Sequence, residues 1–263
     1  MIKFLKKSYL GLILLFLYAP IFILIFFSFN AGKSRAVFSG FTFHWYIKLF
    51  NDRNIQNALF NTISIALLAA IIATAIGTFT SIGIFFLSKK KKNIYLGINN
   101  IPVVNPDIVT GISLMILYIS FFKLIGIGKL GYGTILISHV MFCIPYVILS
   151  VLPRLKQMNK NLFEASMDLG ATPFYTIIHV IIPELKPAII SGAILAFTLS
   201  LDDFVISFFT TGSGVNTLSI LIYSLTRRGI KPEINALSTI MFVSIMVLLI
   251  IVAKLQDKTQ KNS

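Results

Sequence analysis

Residues 161–174 read Asn161-Leu162-Phe163-Glu164-Ala165-Ser166-Met167-Asp168-Leu169-Gly170-Ala171-Thr172-Pro173-Phe174. The stretch up to Leu169 suits a short helix. Gly170 suits its end, because the residue after a helix often needs a left-handed backbone. Thr172 can cap the next helix and Pro173 fits its first position. Phe174 to Ile182 then reads as a second short helix, closed by Pro183 and Pro187. Two helices joined by a sharp glycine bend are more ordered than a connector needs to be, although on spacing alone a plain surface hairpin competes with a docking element.

The sequence on either side of this segment decides the solvent. Of 263 residues, 56% are hydrophobic and only 12% charged, with a mean hydropathy of +0.88. An ordinary soluble domain carries about 25% charged residues. No soluble fold of this size can hide that much apolar surface, whereas lipid leaves it free to face outward. The net charge is +14. The Lys and Arg residues lie between long apolar runs, so the charge suits a membrane surface, and no nucleic-acid partner is expected. Cys143 is the one cysteine, which excludes an intrachain disulfide.

A helix rises about 1.5 Å per residue, so about 20 apolar residues cross the hydrocarbon of a bilayer. Six segments meet that length: Leu10–Phe29, Ala58–Leu87, Ile101–Ile125, Tyr132–Leu152, Ala188–Thr210 and Ala236–Leu255. The basic N-terminus before the first run resembles a signal peptide. The run is too long for one and lacks a small-residue cleavage site, so it reads as a retained span. Six spans place both termini on one side. The block Lys89–Lys92 abuts a helix end, and with Arg154, Lys156, Lys160 and Lys186 it makes that side the more basic one. The positive-inside rule then predicts cytoplasmic termini. The expected organisation is a cytoplasmic N-terminus at 1–9, a six-helix transmembrane domain at 10–255 and a cytoplasmic tail at 256–263. Residues 154–187 form the long inner loop of that domain. In the outer loop, Phe43-His44-Trp45-Tyr46-Ile47-Lys48-Leu49-Phe50 suits an interfacial helix.

Glu164-Ala165-Ser166, then Gly170, then Val180-Ile181-Ile182-Pro183 resembles the EAA loop of ABC-importer permeases. That pattern is Glu-Ala-Ala, three residues, Gly, nine residues and Ile-x-Leu-Pro. The chain departs from it at Ser166, Val180 and Ile182, each a change of similar size. Further segments resemble the PotC-type permeases of spermidine/putrescine importers. They are Phe41-Thr42 with Trp45-Tyr46, Leu49-Phe50 and Asn61-Thr62, then Pro106 to Leu114, then Leu199-Ser200-Leu201-Asp202-Asp203-Phe204. The resemblance covers nearly the whole chain. It implies an all-α, MetI-like permease that forms half of a polyamine pathway by alternating access. It also implies an ATPase dimer docked on the EAA loop, a second homologous permease subunit and an extracytoplasmic polyamine-binding protein. Glu164, Ala165, Ser166, Asp168, Gly170, Ala171 and Pro183 are the coupling residues that it implies.

Three acids sit in expected spans: Asp107 in the third, Asp202 and Asp203 in the fifth. A charge at the bilayer centre costs roughly 2.5–3.5 kcal/mol on insertion scales, so such residues face a cavity or a partner. A polyamine would want carboxylates and aromatic faces along its route. The competing role is structural: bonds between helices, or a capped break. Neighbouring helical residues point about 100° apart, so Asp202 and Asp203 are not expected to share one lumen. Ala69, Ala73, Gly77 and Ser81, spaced by four, read as a packing face. His139 and Cys143 share a helix face without a further metal ligand nearby and also read as packing. Gly32-Lys33-Ser34 resembles the end of a phosphate loop, but the motif's first glycine would fall on Phe27. No catalytic constellation, cofactor or metal site is expected, and ATP hydrolysis is assigned to another subunit. The same machine moving another solute, or a secondary transporter or channel, remains open on sequence.

Overall fold

The computed structural model describes residues 2–32, 37–159, 161–227 and 232–261, with side chains over 8–32, 37–159, 161–227, 232–247 and 250. The elements in chain order are α1 (Ile2–Phe27), α2 (His44–Asn51), α3 (Arg53–Phe85), α4 (Lys89–Val104), α5 (Asp107–Ile125), α6 (Tyr132–Gln157), α7 (Asn161–Asp168) and α8 (Pro173–Thr176). A π turn (Ile177–Ile181) follows, then α9 (Ile182–Asp202), α10 (Val205–Thr210), α11 (Leu218–Arg227) and α12 (Pro232–Lys261). Among the described residues no strand forms, and a lone bridge joins Asn30 and Phe41. The architecture is all-α, as expected.

Among the described residues, five helices are long and apolar enough to span a membrane: Ser8–Phe27, Arg53–Phe85, Asp107–Ile125, Tyr132–Gln157 and Pro173–Asp202. The sixth expected span, Ala236–Leu255, falls within α12, and its side chains at 248, 249 and beyond 250 lie outside the described residues, as do Lys33 and Ser34 of the phosphate-loop-like tripeptide. Many large apolar side chains point away from the protein, Phe16 and Phe60 among them. In water that would be a severe cost; in lipid it is neutral.

Two expected spans are interrupted. The third begins at Asp107, because Asn105 and Pro106 are extended and end α4 at Val104. A proline biases the residue before it away from the helical region, which places the break there. The fifth does not run Ala188–Thr210. It starts far earlier, at Pro173, and stops at Asp202, with α10 as a separate short helix. Nor do Pro183 and Pro187 close a helix. Pro183 has no N–H, and its ring would crowd the carbonyl four residues back. The π turn widens the helix just before it, with Ile182 N–H donating to Ile177 O, and the chain carries on.

The chain forms two compact units. One comprises Met1–Ala58 with Ile220–Ile250, the other Leu59–Ser219 with Ile251–Ser263. In the first, Trp45 is buried and donates from Nε1 to Asn30 O at 2.8 Å. Asn30 Oδ1 in turn accepts from Ser39 N at 2.8 Å. Phe29 stacks on Phe41 at 5.1 Å, while Ile47 and Phe50 stay exposed. The α2 segment is a helix with one exposed apolar side, and its tryptophan is turned inward rather than outward. Lys48 pairs with Glu233.

In the second unit, the small-residue face of α3 packs as the spacing predicts. Ala69, Ala73, Gly77 and Ser81 are all buried. A Cβ on Gly77 would lie 2.7 Å from Val147 Cγ1, so α3 and α6 approach closely because that side chain is absent. Gly192 of α9 meets the same Val147 from another side, its virtual Cβ at 3.4 Å. A single fully buried valine is therefore held between two glycine-bearing helices.

Candidate functional site

The helix breaks build the first site. Gly111 packs α5 against α10: a Cβ there would come within 3.0 Å of Phe209 Cδ2 and 3.4 Å of Val205 O. Asp107 lies one turn before Gly111 on the same face of α5. It therefore reaches the start of α10. Asp107, Asp202 and Asp203 then line one cavity of about 320 Å³, with Phe142, Thr198, Leu199, Phe204 and Val205. Asp202 and Asp203 both border this cavity because the helix ends at Asp202 and Asp203 is extended at ψ 126°, yet their carboxylates part as expected: Asp202 is exposed, while the Asp203 side chain is 7% exposed.

The three acids differ in what they hold. Asp203 is engaged on all sides. Its carboxylate accepts from Ile206 N at 3.2 Å and Ser207 N at 2.8 Å, capping α10, and its Oδ2 lies 3.4 Å from His139 Nε2. Its carbonyl accepts from Ser219 Oγ at 2.9 Å. Asp caps helices well and disfavours helix interiors, since its side chain competes for backbone N–H groups. That is the local reason the fifth span breaks here. Asp107 and Asp202, by contrast, are exposed and make no hydrogen bond or ion pair among the described residues. Asp107 sits in the first turn of α5, where the helix dipole favours an anion. Asp202 ends α9, where the dipole disfavours one, so a cation beside it would relieve both charges.

His139, read from sequence as packing, is the residue that this reading missed. It is 2% exposed and stands on α6 facing the break. Nδ1 lies 2.6 Å from Ser200 Oγ and Nε2 lies 2.8 Å from Ser207 Oγ. The signal was present in the cost of placing a histidine in an apolar span, which demands partners. Cys143, one turn on, is buried and donates its S–H to Ala196 O at 3.4 Å. Among the described residues no group of three or more His, Cys, Asp or Glu is arranged to hold a metal.

The second site is the elbow between α7 and α8. Gly170 has φ +88°, Ala171 N donates to Ser166 O, and Gly170 N donates to Met167 O. These two bonds are a Schellman closure, as the glycine suggested. Thr172 caps α8 by accepting from Tyr175 N at 3.3 Å. Glu164, Ala165, Asp168, Gly170 and Pro183 are exposed, while Ser166 and Ala171 are half-buried. Ser166 Oγ sits 3.0 Å from Thr176 Oγ1 and ties the two arms together. Phe163 anchors the elbow against Phe86 at 4.8 Å. A concavity of about 480 Å³ opens among Ser166, Leu169, Gly170, Ala171, Thr172 and Tyr175, and Leu169 beside it is 90% exposed.

Residues 73–261 match the family described as "Binding-protein-dependent transport system inner membrane component". The chain is 37% identical to the spermidine/putrescine transport system permease protein PotC of Escherichia coli K12, over 99% of this chain and 97% of that one. It is 38% identical to the putrescine transport system permease protein PotI of the same strain, over 94% and 89%. A chain of a bacterial ABC transporter involved in the import of the acidic polysaccharide alginate superposes with a TM-score of 0.74 at 17% identity, over 97% of this chain and 95% of that one. An inward-facing chain of the MetNI methionine ABC transporter superposes with a TM-score of 0.60 at 17% identity, over 76% and 94%. The chain belongs to the family of binding-protein-dependent transport system inner membrane components, and it is an ABC-importer permease with the MetI-like fold.

Proposed function

We propose that this permease forms half of the import pathway for polyamines such as spermidine and putrescine, and that the acidic cavity is a station on that pathway. The observation that carries the reading is the pair of exposed carboxylates, Asp107 and Asp202, without a partner among the described residues, lining one cavity with Phe142 and Phe204. Carboxylates pair with ammonium groups, and aromatic faces attract them further. Near-full-length similarity to permeases named for spermidine and putrescine supports the choice of cation.

In this reading the termini and the elbow face the cytoplasm, within a transmembrane domain at 10–255 whose coupling loop is 154–187. An ATPase dimer grips the elbow: the exposed Leu169 and the concavity around Gly170 and Tyr175 receive a protruding apolar side chain. Glu164 and Asp168 offer charge to the same partner, and Pro183 sits beyond the π turn that joins the elbow to α9. Closure of the ATPases moves the elbow, and the unbroken path from Pro173 to Asp202 carries that motion to the cavity. A second permease subunit supplies the facing wall, and an extracytoplasmic binding protein delivers the cargo. The cycle is alternating access.

Uptake of labelled spermidine by the reconstituted transporter tests the reading. Asp107→Asn and Asp202→Asn should each lower uptake about ten-fold, the worth of one hydrogen bond to a charged group, with assembly intact. Full uptake by the double variant, or failure of the wild type to carry spermidine while it carries another solute, would overturn it.

A further inference from the structure

The cavity depends on a helix break, and one side chain spans that break. His139 reaches the last turn of α9 through Nδ1, 2.6 Å from Ser200 Oγ. It reaches the first turn of α10 through Nε2, 2.8 Å from Ser207 Oγ. Between the two helices it lies 3.4 Å from Asp203 Oδ2. Imidazole carries polar atoms on opposite edges of a flat ring, so it can bridge two backbone segments that no hydroxyl could reach together. The site is buried: His139 is 2% exposed, Ser207 is fully buried and Ser200 is 3% exposed.

Asp202, exposed to the cavity, immediately precedes this clasp. Its direction is set by where α9 ends and where the chain turns. Asp203 alone caps α10 but does not fix α9, because its bonds run to Ile206 and Ser207 on the α10 side. The contact to Ser200 is what ties the α9 side to the same ring. Two further bonds hold the far ends: Thr134 Oγ1 donates to Thr210 O at 2.7 Å, and Cys143 donates to Ala196 O. All of these anchors stand on α6. The helix acts as a splint, with His139 at the fracture.

We infer that His139 is a positioning residue for cation recognition: by clasping Ser200, Asp203 and Ser207 across the break between α9 and α10, it aims Asp202 into the cavity beside Asp107. The inference rests on the polyamine reading of that cavity. It assigns Asp203, in turn, to the clasp rather than to the cargo.

The test is spermidine uptake by the complete transporter carrying His139→Ala, His139→Gln or Ser200→Ala, with Asp202→Asn as the reference. His139→Ala should raise KM about ten-fold, the worth of one hydrogen bond to a charged group, with maximal rate and membrane abundance little changed. His139→Gln keeps a donor and an acceptor at the ring's place and should restore most of the affinity. Ser200→Ala removes only the α9 anchor and should raise KM less; it decides the matter if His139→Ala does not accumulate. An unchanged KM in His139→Ala or Ser200→Ala, with Asp202→Asn impaired, would overturn the clasp and leave the cavity reading standing. At normal abundance, a loss of maximal rate in His139→Ala that Gln does not rescue would reduce His139 to a packing residue and overturn it as well. A normal KM in Asp202→Asn would sink the cavity reading beneath it.

Discussion

Gly170 shows how one residue can be required for its backbone rather than its contacts. Its φ is +88°, and a Cβ added there would meet nothing within 4 Å. Any cost of substitution is therefore conformational. The left-handed region costs an L-residue roughly 1–2 kcal/mol, and Asn tolerates it better than most. Gly170→Ala should loosen the elbow by about that amount, Gly170→Asn by less, and Gly170→Asp should add a charge to the concavity. ATP hydrolysis stimulated by loaded binding protein should fall in the order Asn, Ala, Asp, with membrane abundance of the permease preserved. Normal stimulated hydrolysis and transport in Gly170→Asp would refute a coupling role for the bend. Asp203 teaches the complementary lesson. The sequence shows an acid in an apolar run; the bonds to Ile206, Ser207 and His139 show that its charge is already in use.

At the scale of elements, the bundle is held by close approach as much as by bulk. Val147 is fully buried between Gly77 of α3 and Gly192 of α9. Gly77→Ala places a methyl 2.7 Å from Val147 Cγ1 and 2.8 Å from its Cβ, distances that no packed pair sustains. Overpacking of this kind costs about 1–3 kcal/mol. The variant should melt several degrees below the wild type in detergent. Val147→Ala in the same chain removes the Cγ1 clash but keeps Cβ at 2.8 Å, so it should recover only part of the loss, the two changes sharing one contact. Independent, additive losses would show that the two helices do not meet there. The π turn at Ile177–Ile181 is the other device at this scale. It lets a proline-bearing sequence run as one helical path from the elbow to the acidic cavity.

For the whole molecule, in the proposed reading this chain supplies a pathway wall and the elbow, and another subunit supplies the motor. Proteoliposomes with this polypeptide alone should accumulate no spermidine, with or without ATP. Adding the ATPase, the second permease and the binding protein should confer ATP-dependent uptake. Full-rate transport by the isolated chain would refute the importer reading. Much of this was legible before any coordinates. Composition determined the solvent, because 12% charge cannot cover a soluble fold of 263 residues. Helical rise and apolar length located the spans to within a few residues wherever they are unbroken, and the glycine at 170 marked the elbow. Breaks were not legible in the same way. Whether an Asp in an apolar run ends a helix depends on what bonds its carboxylate, and His139 lies 64 positions from Asp203 in the chain. Pro183 reads locally as a stop, yet a π turn absorbs it once packing favours continuation. Spacing rules part Asp202 from Asp203, as the structure does, but they presume one helix and so miss the break between them. The sequence by itself determined the class of protein, its solvent and its glycine elbow, since these follow from local chemistry summed along the chain. Only the tertiary structure decided which acids are free, because a charge is satisfied by neighbours that folding, not spacing, brings within 3 Å or so.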